Sequence, residues 1–117
     1  MRFFKLLLCV MFLAGCGQKN DVFSSDEIYF FYSDGCPHCH HAKAYIDTKY
    51  PDLEVNMVDV ATPHGYKKLM QAAAKFKITN NLGTPLIVMD DNYIMGWAKT
   101  TEKKFDIRLK RFLARQK

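Results

Sequence analysis

Apolar positions along the chain fall into blocks whose spacing predicts regular elements. The block "EIYFFYS" at 27–33 is almost continuously apolar, which is typical of a strand buried on both faces of a sheet. At 39–50 the apolar positions have helical spacing, and Pro51 ends the predicted helix. "LEVNMVDV" at 53–60 alternates in part, which favours a second strand.

The second half of the chain continues this succession of helices and strands. Thr62 suits a helix N-cap and Pro63 the first helical position. The helical spacing that follows assigns the core side of this helix to Tyr66, Leu69, Met70, Ala73 and Phe76. "TPLIVMD" at 84–90 and "YIMGW" at 93–97 predict two strands that a short polar turn joins as a hairpin.

A last predicted helix closes the chain. Thr100 or Thr101 is expected to cap it, and its apolar positions share one face. These positions are Phe105, Leu109, Phe112 and Leu113. The order β-α-β-α-β-β-α predicts an α/β fold with a four-stranded mixed sheet flanked by helices.

The first residues differ in character from the rest of the chain. Arg2 and Lys5 give a positive start, and "LLLCVMFLAG" at 6–15 is an apolar run too short to span a bilayer as an ordinary helix. It leads into "LAGC" at 13–16, which resembles the lipobox of bacterial lipoproteins. That resemblance implies cleavage before Cys16 and lipidation of its thiol. An ordinary signal peptide and a retained anchor helix are the alternatives.

The lipobox divides the chain into three predicted parts. Residues 1–15 form a lipoprotein signal peptide, 16–25 a lipidated polar tether, and 26–117 one domain. Because more than one acyl chain anchors a protein stably, we expect a lipid-anchored protein on the periplasmic side of a membrane. Gly17 stands where an aspartate is associated with inner-membrane retention, so the outer membrane is favoured.

Composition and charge exclude two classes of protein. With 49% hydrophobic and 25% charged residues, the chain is not wholly disordered. The formal net charge of +5 falls to +3 when the signal peptide, with its two basic residues, is removed. No clustered basic stripe is evident along the sequence, so we expect no nucleic-acid binding.

Cysteine usage leaves one pair for the domain. Cys9 leaves with the signal peptide and Cys16 is consumed by lipid, so Cys36 and Cys39 remain, in a compartment where disulfides form and persist. They belong to "CPHCH" at 36–40, directly after a buried strand. Three chemistries fit this motif: a thiol redox pair, attachment of a c-type haem, and zinc binding.

Three features together resemble the thioredoxin superfamily from residue 27 to the C-terminus: the order of elements, the C-x-x-C and "GTP" at 83–85. In that family a Thr-Pro at the start of the third strand carries a cis-proline beside the active cysteines, which implies a cis bond before Pro85. "CPHC" resembles the DsbA oxidants, "GTPLIVMDDNYIMGW" resembles the bacterial disulfide isomerases, and "FFYSDGCPHC" is similar to glutaredoxins.

The resemblance implies a protein thiol-disulfide oxidoreductase with Cys36 and Cys39 as catalytic residues. Cys36, at a helix N-terminus that favours a thiolate, is expected to attack, and the more buried Cys39 to resolve the mixed disulfide. Pro37 presets the first helical turn, and His38 is expected to stabilise the thiolate and make the pair more oxidising. The redox-active disulfide is itself the reactive group, so no cofactor or metal is expected.

Thr84 and Pro85 are the expected substrate-binding residues. A cis-proline lacks an N–H, and the neighbouring Thr84 backbone can pair with an extended substrate segment. The substrates would be protein thiols and disulfides, a membrane or periplasmic redox partner would reset the pair, and the protein would act as a monomer. His40, His41 and Trp97 are assigned to surface or packing.

Two departures from the superfamily bear on mechanism. Phe30 stands where thioredoxins and DsbA carry an acidic residue, and Gly96-Trp97 replaces the Gly-Gly with which glutaredoxins hold glutathione. Glutathione is therefore a disfavoured substrate, and the choice between oxidant and reductant stays open. The alternatives to the redox function are a c-type haem or zinc protein that uses "CPHCH", and a non-catalytic binding module with the same fold.

Overall fold

A computed structural model describes residues 22–116 of the chain. The strands are β1 (Ile28–Tyr32), β2 (Asn56–Asp59), β3 (Leu86–Met89) and β4 (Asn92–Met95), and the helices are α1 (Pro37–Lys49), α2 (Pro63–Phe76) and α3 (Lys99–Arg115). The predicted signal peptide and lipidated Cys16 lie outside the described residues, so these stay predictions. None of the described helices has the length and apolar character that crossing a bilayer requires.

The four strands form one mixed sheet in the order β2-β1-β3-β4. β1 pairs with β2 in parallel and with β3 antiparallel, while β3 and β4 form the antiparallel hairpin. Phe30, in the middle of β1, lies opposite Met57 on one side and Ile87 on the other. The continuous apolar run of β1 therefore predicted a central strand correctly, since this strand has neighbours on both edges and is covered on both faces.

Alternate residues of the sheet contribute to two separate cores. Phe30 and Ile87 face a core that α1 and α3 cover, whereas Phe31 and Leu86 face a second core that α2 covers together with Phe23. A strand exposes successive side chains on opposite faces, so one aromatic run supplies both layers. The predicted α/β fold with a four-stranded mixed sheet flanked by helices is confirmed.

Local signals place the ends of the first two helices. α1 begins at Pro37, two residues earlier than predicted, because Cys36 acts as its N-cap. In α2 the Thr62 hydroxyl accepts a hydrogen bond from the Gly65 N–H at 2.9 Å, as expected of a threonine cap. Gly65 is required there for space, because a Cβ would overlap the backbone carbonyl of Asp59 at the end of β2.

Several sequence-based details are wrong. α3 has Ala98 as its N-cap, and Thr101 instead accepts a hydrogen bond from the Ala98 N–H at 3.0 Å. Tyr66 is 55% exposed and Met70 also lies at the surface, so neither belongs to the predicted core of α2. Leu113 is likewise exposed on α3. The errors at Tyr66, Met70 and Leu113 share one cause, since helical spacing marks an apolar face but not how far that face is covered.

A polar network that the local patterns did not predict joins α1 to α3. The Asp106 carboxylate accepts hydrogen bonds from the hydroxyls of Tyr45 at 2.8 Å and Tyr50 at 2.6 Å, and from the Lys49 ammonium at 2.8 Å. Burial opposes ionisation of Asp106, but these hydrogen bonds hold its pKa below the ordinary value. Burial and the hydrogen bond to Asp106 together raise the pKa of Tyr50 to about 12.

We expect Asp106→Asn to lower the free energy of unfolding by about 1–3 kcal/mol at neutral pH, because hydrogen bonds to a charged group are lost. The pKa of Asp106 is lower in the folded state than in the unfolded chain. Its contribution is therefore complete above the unfolded pKa of about 3.9 and disappears as the pH falls through the folded value. Urea unfolding at about pH 7 and pH 2.5 should show a difference that shrinks in acid.

Asp52→Asn provides the control for this prediction, because Asp52 is an exposed carboxylate just after α1. We expect that variant to unfold like the parent protein at both pH values. A penalty for Asp106→Asn that stays constant from neutral to acid pH would contradict an ionised carboxylate as the source of the stabilisation.

Candidate active site

The two cysteines of the motif lie at the start of α1, where the chain leaves the central strand β1. They are joined by a disulfide, with their Cα atoms 5.2 Å apart. Cys36 is half-buried, whereas Cys39 is only 3% exposed and packs in the core beneath α1. The Cys36 sulfur is therefore the more accessible of the two.

The N-terminus of α1 provides hydrogen bonding to the outer sulfur. The Cys39 N–H donates to Cys36 Sγ at 3.1 Å, so the cysteine side chain takes the place of a usual N-cap oxygen. Lowering a thiol pKa by three units requires about 4 kcal/mol. The helix dipole supplies about 0.3–1 kcal/mol and at most about 2. A fall of that size would therefore require direct hydrogen bonds to the sulfur, such as this one, in addition to the helix dipole.

The loop before β3 brings the second predicted element of the site to the disulfide. The Thr84–Pro85 peptide bond is cis, as the resemblance implied. Cys36 Sγ lies 3.6 Å from the Thr84 carbonyl oxygen, although 48 residues separate the two in sequence. The Gly96 N–H donates to the Pro85 carbonyl at 2.8 Å and ties this loop to the end of β4. Thr84 thus lies beside Cys36, and Pro85, which follows it, is buried.

The three histidines of the motif region lie on the surface of α1. His38 and His41 are exposed and border an open cavity of about 300 Å³ whose wall is Trp97. Trp97 itself is buried against Tyr45, with the ring centroids 5.7 Å apart, so it packs as expected. His40 is also exposed, and its Nε2 lies 2.8 Å from the backbone carbonyl oxygen of Asp34.

A second cavity, of about 250 Å³, opens behind the inner cysteine. Cys39 lines it together with Phe30, which occupies the position of the acidic residue of thioredoxins. Phe30 is buried and leaves no carboxylate at the floor. Besides Tyr32 and Ser33, its polar lining includes Asp34, His40 and Lys43, a grouping that spacing along the chain did not predict. Water that enters this cavity can reach the wall formed by Cys39.

The ligand geometry of a metal site is not found near the motif. Within residues 22–116 no group of three or more His, Cys, Asp or Glu side chains is arranged to hold a metal ion. Cys36 and Cys39 are bonded to each other. The arrangement of the described residues therefore fits thiol-disulfide exchange, which uses two sulfurs in mutual reach.

Comparison with known proteins rests on structure alone. No protein-family model matches the chain, and no curated protein matches it. The crystal structure of a glutaredoxin from Archaeoglobus fulgidus is similar to this chain, with a TM-score of 0.54 over 75% of this chain and 95% of that one. The chain has the thioredoxin fold. At 15% sequence identity the similarity extends to the fold and no further.

The thioredoxin fold accounts for the placement of the motif. A C-x-x-C disulfide follows the central strand of this fold, and the cis-proline loop reaches it from the neighbouring strand. Gly96-Trp97, at the end of β4, completes the surroundings, with Gly96 hydrogen-bonded to Pro85. Local signals thus place the cysteines at the start of a helix. The fold brings the Thr84–Pro85 loop and Gly96-Trp97 close to them.

Proposed function

We propose that this protein is a thiol-disulfide oxidoreductase that exchanges disulfides with protein thiols through Cys36 and Cys39. The observation that carries the proposal is the half-buried Cys36 sulfur, which accepts a helix N–H and lies next to the Thr84–Pro85 loop of a thioredoxin fold. Neither haem attachment nor zinc binding accounts for this cis-proline loop beside the cysteines.

The exchange proceeds in two balanced steps. In the reducing direction the Cys36 thiolate attacks a substrate disulfide, forming a mixed disulfide and releasing one substrate thiolate, which takes a proton from water. Cys39 then loses its proton to water and attacks Cys36 Sγ, which forms the internal disulfide and releases the second substrate thiolate. Oxidation of a substrate dithiol is the same sequence reversed. The Thr84 backbone holds the substrate segment beside Cys36 in both directions.

The proposed location is the periplasmic side of a membrane, with Cys16 lipidated. The support is the resemblance of "LAGC" to a lipobox. In that location a membrane or periplasmic redox protein would return Cys36 and Cys39 to their working state after each turnover. The domain would act as a monomer.

An insulin-reduction assay with dithiothreitol tests the activity directly. We expect the purified protein to accelerate precipitation of the insulin chains well above the rate with dithiothreitol alone. A protein that carries a Soret band or stoichiometric zinc, and that leaves this rate unchanged, would instead favour haem attachment or zinc binding. A protein with the fold, no bound group and no acceleration would be a non-catalytic binding module.

Equilibration with glutathione redox buffers measures the direction in which the pair works. A reduction potential near −120 mV would identify an oxidant of the DsbA type, and one near −270 mV a reductant of the thioredoxin type. The compartment and His38 favour the oxidant, whereas the small size of the domain favours a dedicated reductant.

We expect His38→Ala to shift this potential toward the reducing side by about 5–20 mV. A charge at an exposed position contributes about 0.2–1 kcal/mol, and about 1.4 kcal/mol corresponds to 30 mV for a two-electron couple. His64→Ala is the matched control, because His64 is an exposed histidine on α2, outside the motif. Equal shifts for the two variants, or a shift of His38→Ala toward the oxidising side, would contradict a stabilising role for His38.

A further inference from the structure

The exposed side of α3 carries an aliphatic residue framed by positive charges. Ile107 is 45% exposed. Lys103 and Lys104 precede it by one helical turn, and Lys110 and Arg111 follow it by one turn, so all four neighbours on this surface are basic. No basic stripe is evident along the sequence, but the helix gathers these residues on one surface, which we call the basic face of α3.

The charges of the basic face are not neutralised within the domain. α3 contains two acidic residues, Glu102 and Asp106. Asp106 is held by Lys49, and Glu102 lies 3.9 Å from the Lys99 ammonium. None of the four basic residues around Ile107 forms an ion pair with any residue in the range 22–116. Their charge is therefore available to an external anionic partner.

The position of α3 relates this face to the N-terminal segment. At the end of the helix, Gln116 Nε2 donates a hydrogen bond to the Ser25 carbonyl at 3.4 Å. Ser25 therefore lies beside the C-terminal end of α3. Val22, where the described chain begins, lies beside α2, because its carbonyl accepts a hydrogen bond from the Lys68 ammonium at 3.2 Å. Cys16, the proposed lipidation site, precedes Ser25 by only a short stretch of sequence. A membrane that holds this segment lies within reach of the basic face.

We propose that the basic face of α3 binds the surface of a bilayer containing anionic phospholipids. The proposal rests on the membrane location that is part of the proposed function. Basic side chains close to an anionic surface gain about 1 kcal/mol each, and their aliphatic stems, like Ile107, suit the boundary between headgroups and acyl chains. The face contains no aromatic side chain on which a nucleic-acid base could stack, so a bilayer fits better than a nucleic acid.

This contact fixes where the disulfide lies relative to the membrane. α3 has 17 residues and is therefore about 25 Å long. Its C-terminal end lies beside Ser25, whereas its N-terminal end lies beside the cavity bordered by His38 and Trp97. A helix that lies along the surface would hold the disulfide close to the headgroups, about 25 Å from Ser25. That position suits exchange with a membrane-embedded redox partner.

Vesicle binding by the full chain tests the proposal. The charge variant combines Lys103→Gln, Lys110→Gln and Arg111→Gln. Sedimentation with vesicles of phosphatidylcholine alone, and with about one third phosphatidylglycerol, gives the ratio of the two partition constants. This ratio removes the apolar contribution of the N-terminal segment, which both lipids share, and the basic residues of that segment are the same in the parent and in every variant. We expect the charge variant to lose up to about 100-fold of the anionic preference at low salt, and the parent to lose it at about 0.5 M salt.

The matched control combines Lys67→Gln, Lys75→Gln and Lys77→Gln, which remove the same charge. α2 and its C-cap lie on the opposite face of the sheet from α3. The control should keep most of the anionic preference. An equal loss in both triple variants, or no loss in the α3 variant, would overturn the proposal. Tighter binding to duplex DNA or polyglutamate than to the anionic vesicles, abolished by the same α3 changes, would also overturn it in favour of a macromolecular partner.

Tryptophan fluorescence tests the role of Ile107 separately. Ile107→Trp should show a blue shift and protection from iodide with anionic vesicles, whereas Ala74→Trp, at an exposed position on α2, should show neither. Blue shifts of equal size at both positions would contradict a specific orientation. Insulin reduction without vesicles should be the same in all these variants. The absence of insulin reduction in the parent protein would contradict the redox function. The vesicle measurements would still test the membrane contact independently.

Discussion

Cys36→Ser is expected to reduce thiol-disulfide exchange to the uncatalysed rate, whereas Cys39→Ser should accumulate mixed disulfides with substrate. The difference follows from burial. The Cys36 sulfur is half-buried and lies next to the Thr84 carbonyl, whereas Cys39 packs in the core. Without Cys36 the remaining thiol lacks access to a substrate disulfide, and without Cys39 the first step still occurs but is not resolved.

Insulin reduction and non-reducing electrophoresis of trapped complexes measure the two effects. The matched control is the double variant Cys36→Ser/Cys39→Ser, which should form no mixed disulfide. Complexes of Cys39→Ser should dissolve on addition of dithiothreitol, because only a disulfide holds them. Full activity in Cys36→Ser would assign the attacking role to Cys39 and contradict the assignment made from exposure.

The fold followed from signals that act over short stretches of sequence. The unbroken apolar run of β1 predicted a strand covered on both faces, and it lies between β2 and β3. Thr62 and Pro63 predicted the start of α2, and the hydroxyl of Thr62 caps that helix. Such signals are reliable because caps, breaks and periodicity depend on backbone geometry within one or two turns.

Apart from the N-cap of α3, the features that were wrong or unforeseen depend on residues far apart in the chain. The Asp106 network joins side chains 56 to 61 residues away from it, and no local pattern distinguishes its tyrosines from ordinary surface residues. Tyr66 has helical spacing with Leu69, yet it is exposed because the second core does not extend beneath it. β2 is shorter than its alternating pattern, because its pairing with β1 begins only at Asn56.

The candidate site combines both kinds of information. The spacing of Cys36 and Cys39 on a helix is a local property, and the disulfide confirms that the two sulfurs meet. The contact of Cys36 with Thr84 spans 48 residues and was expected only through resemblance to a family. The polar grouping of Asp34, His40 and Lys43 behind Cys39 had no such guide, because it arises from the way β1 and α1 meet.

Phe105→Ala is expected to lower the free energy of unfolding by about 3–5 kcal/mol, the usual cost of deleting a buried aromatic ring. Phe105 is completely buried on α3. Its ring centroid lies 5.9 Å from that of Trp97 and 5.9 Å from that of Tyr50. Phe105 therefore connects α3 both to Trp97, which borders the cavity beside His38, and to the Asp106 network. A loss of this size is a large share of the 5–15 kcal/mol that stabilise a typical domain.

Ile107→Ala is the matched control on the same helix. Ile107 lies two residues away but is largely exposed, so its truncation should change the free energy of unfolding by less than about 0.5 kcal/mol. Denaturant unfolding of the oxidised proteins compares the two, and a shift in midpoint at constant slope identifies a change in stability rather than in the unfolded state. Equal losses of unfolding free energy in the two variants would contradict the packing of Phe105 between Trp97 and Tyr50. A loss of unfolding free energy in Phe105→Ala alone would show that α3 is stabilised by the core beneath it. The basic face would then not be needed for folding and would be available to a partner.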